Sequence, residues 1–185
     1  MHSTCSAAAN LDVQKKNPLT VAIKATWVVI ITIVLVAGSF RTFGQHYQFF
    51  YDSQDVRCIP EYRFYFIKRT ADAKPNIKRG SIYAFHARNM GPYFKDGTMM
   101  GKYALAVGGD HVVINEHGVF VNGDLKVSGF VLAKKLGVEE KDLYKDYVLK
   151  PDQIFFAGTG ERSFDSRYWG LASSDQVFGE ALPLW

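Results

Sequence analysis

A chain of 185 residues with 48% hydrophobic and 22% charged side chains holds enough apolar material for one ordinary domain plus an appendage, which excludes wholesale disorder. The net charge of +4 is mild, and the lysines and arginines are scattered rather than interleaved with aromatics, which argues against a nucleic-acid surface. Two cysteines, Cys5 and Cys58, define no disulfide framework, and a membrane between them would forbid a bridge.

The first predicted element is a transmembrane anchor over residues 19–40, preceded by a tail, 1–18. Ala25–Phe40 (ATWVVIITIVLVAGSF) carries no charge, and with Leu19–Ile23 it approaches the ~20 residues that cross a bilayer. Lys24 can snorkel to the headgroups and Trp27 suits the interface. Lys15, Lys16 and Lys24 precede the run and only Arg41 follows at once, so the positive-inside rule puts the tail in the cytoplasm and residues 41–185 across the membrane. A signal peptide cleaved near Val36-Ala37-Gly38 is an alternative, although the run exceeds a usual signal core. A helix apolar on all faces and buried in a soluble protein would need a larger surrounding fold.

The remaining segments read as short strands. His46–Tyr51 (HYQFFY) is either an interfacial aromatic stretch or the core face of a first strand. Tyr62–Lys68 and Ser81–Phe85 follow, the latter after the turn Lys78-Arg79-Gly80. Lys102–Val107 ends at Gly108-Gly109-Asp110; His111–Asn115 and Val119–Asn122 flank the hairpin turn Glu116-His117-Gly118; Gln153–Ala157 precedes a polar loop. Gly137–Tyr147, highly charged, is expected to be a short helix or an exposed loop. The fold class predicted is mostly β, with short antiparallel strands joined by Gly-bearing turns.

Three places carry chemistry. Lys102 lies in the apolar stretch Met99–Val107, and a lysine buried there is costly to keep charged and so suited to act as a base; the plainer alternative is an edge-strand lysine pointing outward. Cys58, in Arg57-Cys58-Ile59-Pro60, is an unpaired thiol beside a proline that stiffens the backbone, or else a small buried hydrophobe. Ser163-Phe164-Asp165-Ser166-Arg167-Tyr168-Trp169-Gly170 gathers hydroxyl, carboxylate and guanidinium within a few positions, either to orient a nearby amine or merely to stabilise a turn. His46, His86, His111 and His117 show no metal-ligand spacing, and no cofactor is expected. A Cys58 pair with His86 or His111 is an alternative to one with Lys102.

In order, these blocks resemble the Ser/Lys signal peptidases, specifically their conjugative-transfer, pilin-processing branch. Cys58-Ile59-Pro60 is similar to that branch's Ser-x-Pro motif with Cys for Ser. Lys78–Phe85 resembles a strand opened by Arg-Gly-Asp, with Ser81 at the aspartate. Lys102 to Gly109-Asp110, with Val119-Phe120-Val121-Asn122-Gly123, resembles the lysine strand, its turn and the following hairpin; Ser163–Gly170 resembles the Ser-x-Asp-Ser-Arg-x-Trp-Gly block. The resemblance implies a signal-peptidase/LexA-like β domain at 41–185, periplasmic and anchored in the inner membrane. It implies Cys58 as nucleophile, Lys102 as general base, Ser163 orienting the amine, Asp165 and Arg167 as a supporting pair, and the Cys58 N–H as part of the oxyanion hole.

Three departures stand out. A thiol replaces the hydroxyl nucleophile, so Lys102 would hold a thiolate–ammonium pair. Val56 stands where many relatives carry an oxyanion-binding hydroxyl, and Gly158-Thr159-Gly160 replaces the usual Gly-Asp-Asn. The implied substrate is an exported pilin-like precursor, cleaved or cyclised, with other components of a conjugation apparatus as partners. Alternatives are an inactive assembly factor of such an apparatus and a general signal peptidase, the latter opposed by the short Cys-x-Pro spacing and small size.

Overall fold

The computed structural model describes residues 17–72 and 75–184. The chain divides into two units, one ending at Phe43 and one starting at Gly44. Cys5, Lys15, Lys16 and nearly all of the expected tail 1–18 lie outside the described residues.

The first unit is built on α1, Pro18–His46, 29 residues with a mean hydropathy of 2.4 in its most apolar stretch and no buried side chain. It is long and apolar enough to cross a membrane. Asn17 caps it, its Oδ1 accepting from the Leu19 N–H at 3.1 Å, and Pro18 begins the first turn, where a missing N–H costs nothing. Thr26, Thr32, Ser39 and Thr42 donate their hydroxyls to carbonyls four residues back, so these polar groups are satisfied without water. The helix continues six residues past the expected end at 40: Arg41 ends the apolar run without ending the helical backbone.

The second unit is mostly β, as the strand pattern predicts. β1 (Tyr47–Tyr51), β2 (Phe64–Arg69), β3 (Ile82–His86), β4 (Met99–Val107), β9 (Gln153–Ala157), β10 (Ala172–Ser173) and β11 (Val177–Pro183) form a sheet in the order β1-β2-β11-β3-β4-β9-β10. β5 (His111–Asn115), β6 (Gly118–Val121), β7 (Asp124–Val127) and β8 (Lys145–Val148) form a second sheet in the order β7-β6-β5-β8. Every pairing is antiparallel. Two short helices, α2 (Ala133–Leu136) and α3 (Ser166–Trp169), lie in the connections.

Of the two readings of His46–Tyr51, the strand holds: β1 pairs with β2, and Phe50 packs on the cluster of Ile59, Tyr65, Ile67 and Ala181. The charged 137–147 stretch is neither simply helix nor loop. A 3-10 turn at Glu140–Leu143 buries Leu143, and β8 follows, its backbone pairing with β5 despite exposed side chains. One core cluster joins Val112, Ile114, Val119 and Val121 of the smaller sheet to Ala106 and Phe155 of the larger. Another centres on Phe85 and Phe156, whose rings stack with centroids 4.2 Å apart.

Candidate active site

Lys102 sits in the middle of β4, where burial alternates residue by residue as a pleated strand requires. It shares the inner face with Met100 and Ala104, stands opposite Tyr83 of β3, and is completely buried. The outward-pointing edge lysine is thereby corrected: β4 is interior, flanked by β3 and β9. Lys102 Nζ donates to Ser163 Oγ at 3.1 Å, and among the described residues no carboxylate pairs with it. A buried amine with one neutral partner and no counter-ion is an unusual arrangement, since charged groups seldom leave water unpaired.

Ser163, also fully buried, is held by its backbone. Its N–H donates to the Gly160 carbonyl at 3.0 Å, and its own carbonyl accepts from Arg167 Nη2 at 3.3 Å. Cys58 approaches from the other side. Its carbonyl oxygen accepts from the Gly160 N–H at 3.0 Å, and Gly158 fills the space between. A Cβ at Gly158 would come within 2.1 Å of the Cys58 backbone oxygen and 2.6 Å of Ser163 Oγ, so the Cys58 loop and the Ser163 hydroxyl close on Gly158 with no room for a side chain. The structure thus brings together the Cys58 loop, Ser163 and Lys102. Cys58 is partly exposed and unpaired. Its loop is tied by Arg57 Nη1 donating to the Tyr62 carbonyl at 3.2 Å, while Arg57 Nε is buried without a hydrogen-bond partner.

Asp165 and Arg167 form the expected pair. Arg167 Nε and Nη2 donate to the two carboxylate oxygens at 2.8 and 2.9 Å, with both side chains essentially buried. Asp165 also caps α3, accepting from the Arg167 N–H at 3.2 Å. The remaining guanidinium nitrogen reaches the Gly129 carbonyl at 2.9 Å. Burial pulls the Arg167 guanidinium down, but its bonds to and the charge of Asp165 outweigh that and leave it above its ordinary value.

A second ionic junction lies off this centre. The Asp110 carboxylate accepts from the Val107 N–H and from Asn122 Nδ2, each at 2.9 Å, and pairs with Arg79 through both guanidinium ends. Burial pushes its carboxyl up, but these bonds and the Arg79 charge prevail and hold it below its ordinary value. The Cys/His alternative finds no support: His86 Nδ1 lies 3.1 Å from the Gly97 carbonyl, His111 Nε2 lies 2.7 Å from Asp146, and no hydrogen bond among the described residues joins either ring to Cys58. Among the described residues no three His, Cys, Asp or Glu side chains gather as a metal site would require.

Two features escaped sequence reasoning. A small apolar cavity of about 30 Å3 lies beside the reactive region, lined by Ile59, Tyr65, Met100 and Gly101 among others. Burial is the main cause that pushes the Tyr65 hydroxyl there up to about 12, with Asp52 adding to it. The close approach at Gly158 is the other; only the glycine itself signalled it.

With this geometry in view, the family profile described as signal peptidase, peptidase S26, matches residues 22–185, and the chain belongs to that family of peptide-bond hydrolases. A signal peptidase I of Enterococcus faecalis V583 is similar at 21% identity over 57% of this chain and 97% of that one, with a TM-score of 0.37. No curated protein matches significantly.

Proposed function

We propose that the chain is a membrane-anchored peptidase or transpeptidase that processes an exported pilin-like precursor in conjugative transfer, with Cys58 as nucleophile and Lys102 as its base. The observation that carries this reading is the wholly buried Lys102 amine, hydrogen-bonded among the described residues to Ser163 alone, with the Cys58 carbonyl and the Ser163 hydroxyl both packed against Gly158. Burial without a counter-ion suits that amine to act as a base rather than as a charged surface group, and Cys58 is a partly exposed free thiol on the loop that packs against Gly158.

In this mechanism the Cys58 thiol gives its proton to Lys102 and the thiolate attacks the scissile carbonyl. The tetrahedral oxyanion takes support from the Cys58 N–H, Val56 offering none. The leaving amine departs with a proton from Lys102, and a thioester remains on Cys58. Water resolves it to a linear product; the substrate's own amine resolves it to a cyclic one. The cavity beside Ile59 and Gly101 has room for a methyl-sized side chain and little more, which suits a small residue at the cleaved position. Residues 1–18 are cytoplasmic, 19–40 cross the inner membrane and 41–185 are periplasmic, a topology supported by α1 and by the lysines that precede it.

The test is maturation of the precursor in cells carrying Cys58→Ala or Cys58→Ser. Loss with alanine and partial activity with serine is expected. Maturation that survives Cys58→Ala would identify an assembly factor rather than an enzyme. Mass spectrometry separates the two outcomes of the thioester, the cyclic product being lighter than the linear one by one water.

A further inference from the structure

A groove of about 350 Å3 borders the reactive region, and the chemistry above leaves it unused. Val56, Tyr93, Phe94 and Phe164 line it, with Lys135 and Arg162 among its walls. The Tyr93 and Phe94 rings pack on Phe164 with centroids 5.2 and 5.7 Å apart, a preformed aromatic floor. Val56 and Tyr93 are more than half exposed, which is costly for apolar surface left without a purpose.

Two relationships tie the groove to the reacting atoms. Val56 lies two residues before Cys58, a span of at most about 7 Å. Arg162 and Phe164 flank Ser163, whose hydroxyl accepts from Lys102. Cys58, Lys102 and Ser163 do not themselves line the groove, so it is joined to the reacting residues through their chain neighbours Val56, Arg162 and Phe164. The small cavity reaches the same region through Ile59, on the other side of Cys58 in the sequence. Lys135 and Arg162 are exposed, and among the described residues neither has a carboxylate partner, whereas Arg79, Arg88 and Arg167 do.

We propose that this groove binds the stretch of substrate beyond the scissile bond and selects a segment that pairs an apolar side chain with a carboxylate. The aromatic floor takes the apolar group, and Lys135 and Arg162 take the negative charge. The carboxylate comes from an acidic side chain or from a free C-terminus shortly after the cleaved bond; the chemistry recognised is the same. The inference rests on Cys58 and Lys102 being the reacting pair, because that assignment fixes where the scissile bond lies.

The experiment uses the full chain in detergent with Cys58→Ala, so that binding is read without turnover. Fluorescence anisotropy compares three labelled probes: Ala-Ala-Phe-Leu-Glu-Leu amide, the same peptide with Gln for Glu, and the Gln peptide with a free C-terminal carboxylate. Binding of one or both charged probes about tenfold tighter than the neutral amide is expected, and whichever of the two binds better names the source of the carboxylate. Lys135→Glu with Arg162→Glu should erase that preference. Charge-blind binding, no binding, or a preference that persists in the double variant overturns the proposal. Thiol labelling of wild-type Cys58 is read separately: a reactive thiol with charge-blind binding sinks the groove alone, and charge-selective binding beside an inert thiol sinks the dyad.

Discussion

Lys102 and Ser163 meet at 3.1 Å where solvent reaches neither of them. The bond orients the amine through a partner that carries no charge. Lys102→Met keeps the volume and removes the amine. It should leave the thermal midpoint unchanged or raised, since no ion pair is broken, while processing falls by about a hundredfold to ten-thousandfold. Labelling of Cys58 by a thiol reagent at pH 7 should slow in parallel, by about tenfold or more. Ser163→Ala should lower kcat by about ten- to a hundredfold with KM little changed. Steady-state kinetics and calorimetry check both variants.

Arg167 is the clasp behind Ser163, reaching the Ser163 and Gly129 carbonyls and both oxygens of Asp165. Arg167→Lys cannot reproduce this planar fork. It should cost about 3–5 kcal/mol in urea unfolding, because Asp165 is left buried with an incomplete partner. Arg167→Met with Asp165→Leu should be milder than Arg167→Met alone, and an equal loss would contradict the pairing argument.

Gly158 has no room for a methyl group: its added carbon would fall 2.1 Å from a backbone oxygen that cannot swing aside. Gly158→Ala should therefore push the Cys58 loop away from Ser163. Expected losses are about 1–3 kcal/mol of stability together with most of the processing activity. Activity that survives unchanged would show that the loop position is immaterial to catalysis.

Asp110 sets an acid limit on stability. Its carboxyl lies below its ordinary value of 3.8 in the folded chain, so the unfolded chain binds its proton first as pH falls. The contribution is complete above about 4 and is lost as pH drops through the lowered folded value. Asp110→Ala should cost about 2 kcal/mol near neutral pH, less than a fully buried pair would because Arg79 is half-exposed. The gap between wild type and variant should close in acid, as urea midpoints across pH would record.

Much of this was legible in the sequence. The apolar run marked α1, and runs of β-forming residues bounded by turn residues marked β2 to β6 and β9. The strands that escaped were those whose reason to exist lies elsewhere in the chain. β8 has mostly exposed side chains and is held by backbone pairing to β5. β11 is placed between β2 and β3, far from it in sequence, and pattern reading has no purchase on that register. At the centre, the residue types were readable from their blocks, but the contacts were not. That Arg79, Asp110 and Asn122 converge, or that Gly158 separates Cys58 from Ser163, depends on how distant segments cross.

The position of β11 has a consequence for how the protein comes into being. The loop bearing Cys58 joins β1 to β2, and Lys102 belongs to the half of the sheet made of β3, β4, β9 and β10. Residues 177–183 are the strand that zips these halves together, and they follow the other described strands in the chain. Until they are made and docked, the growing chain carries two open sheet borders, so the two parts of the reactive centre are joined through one sheet only once β11 is in place.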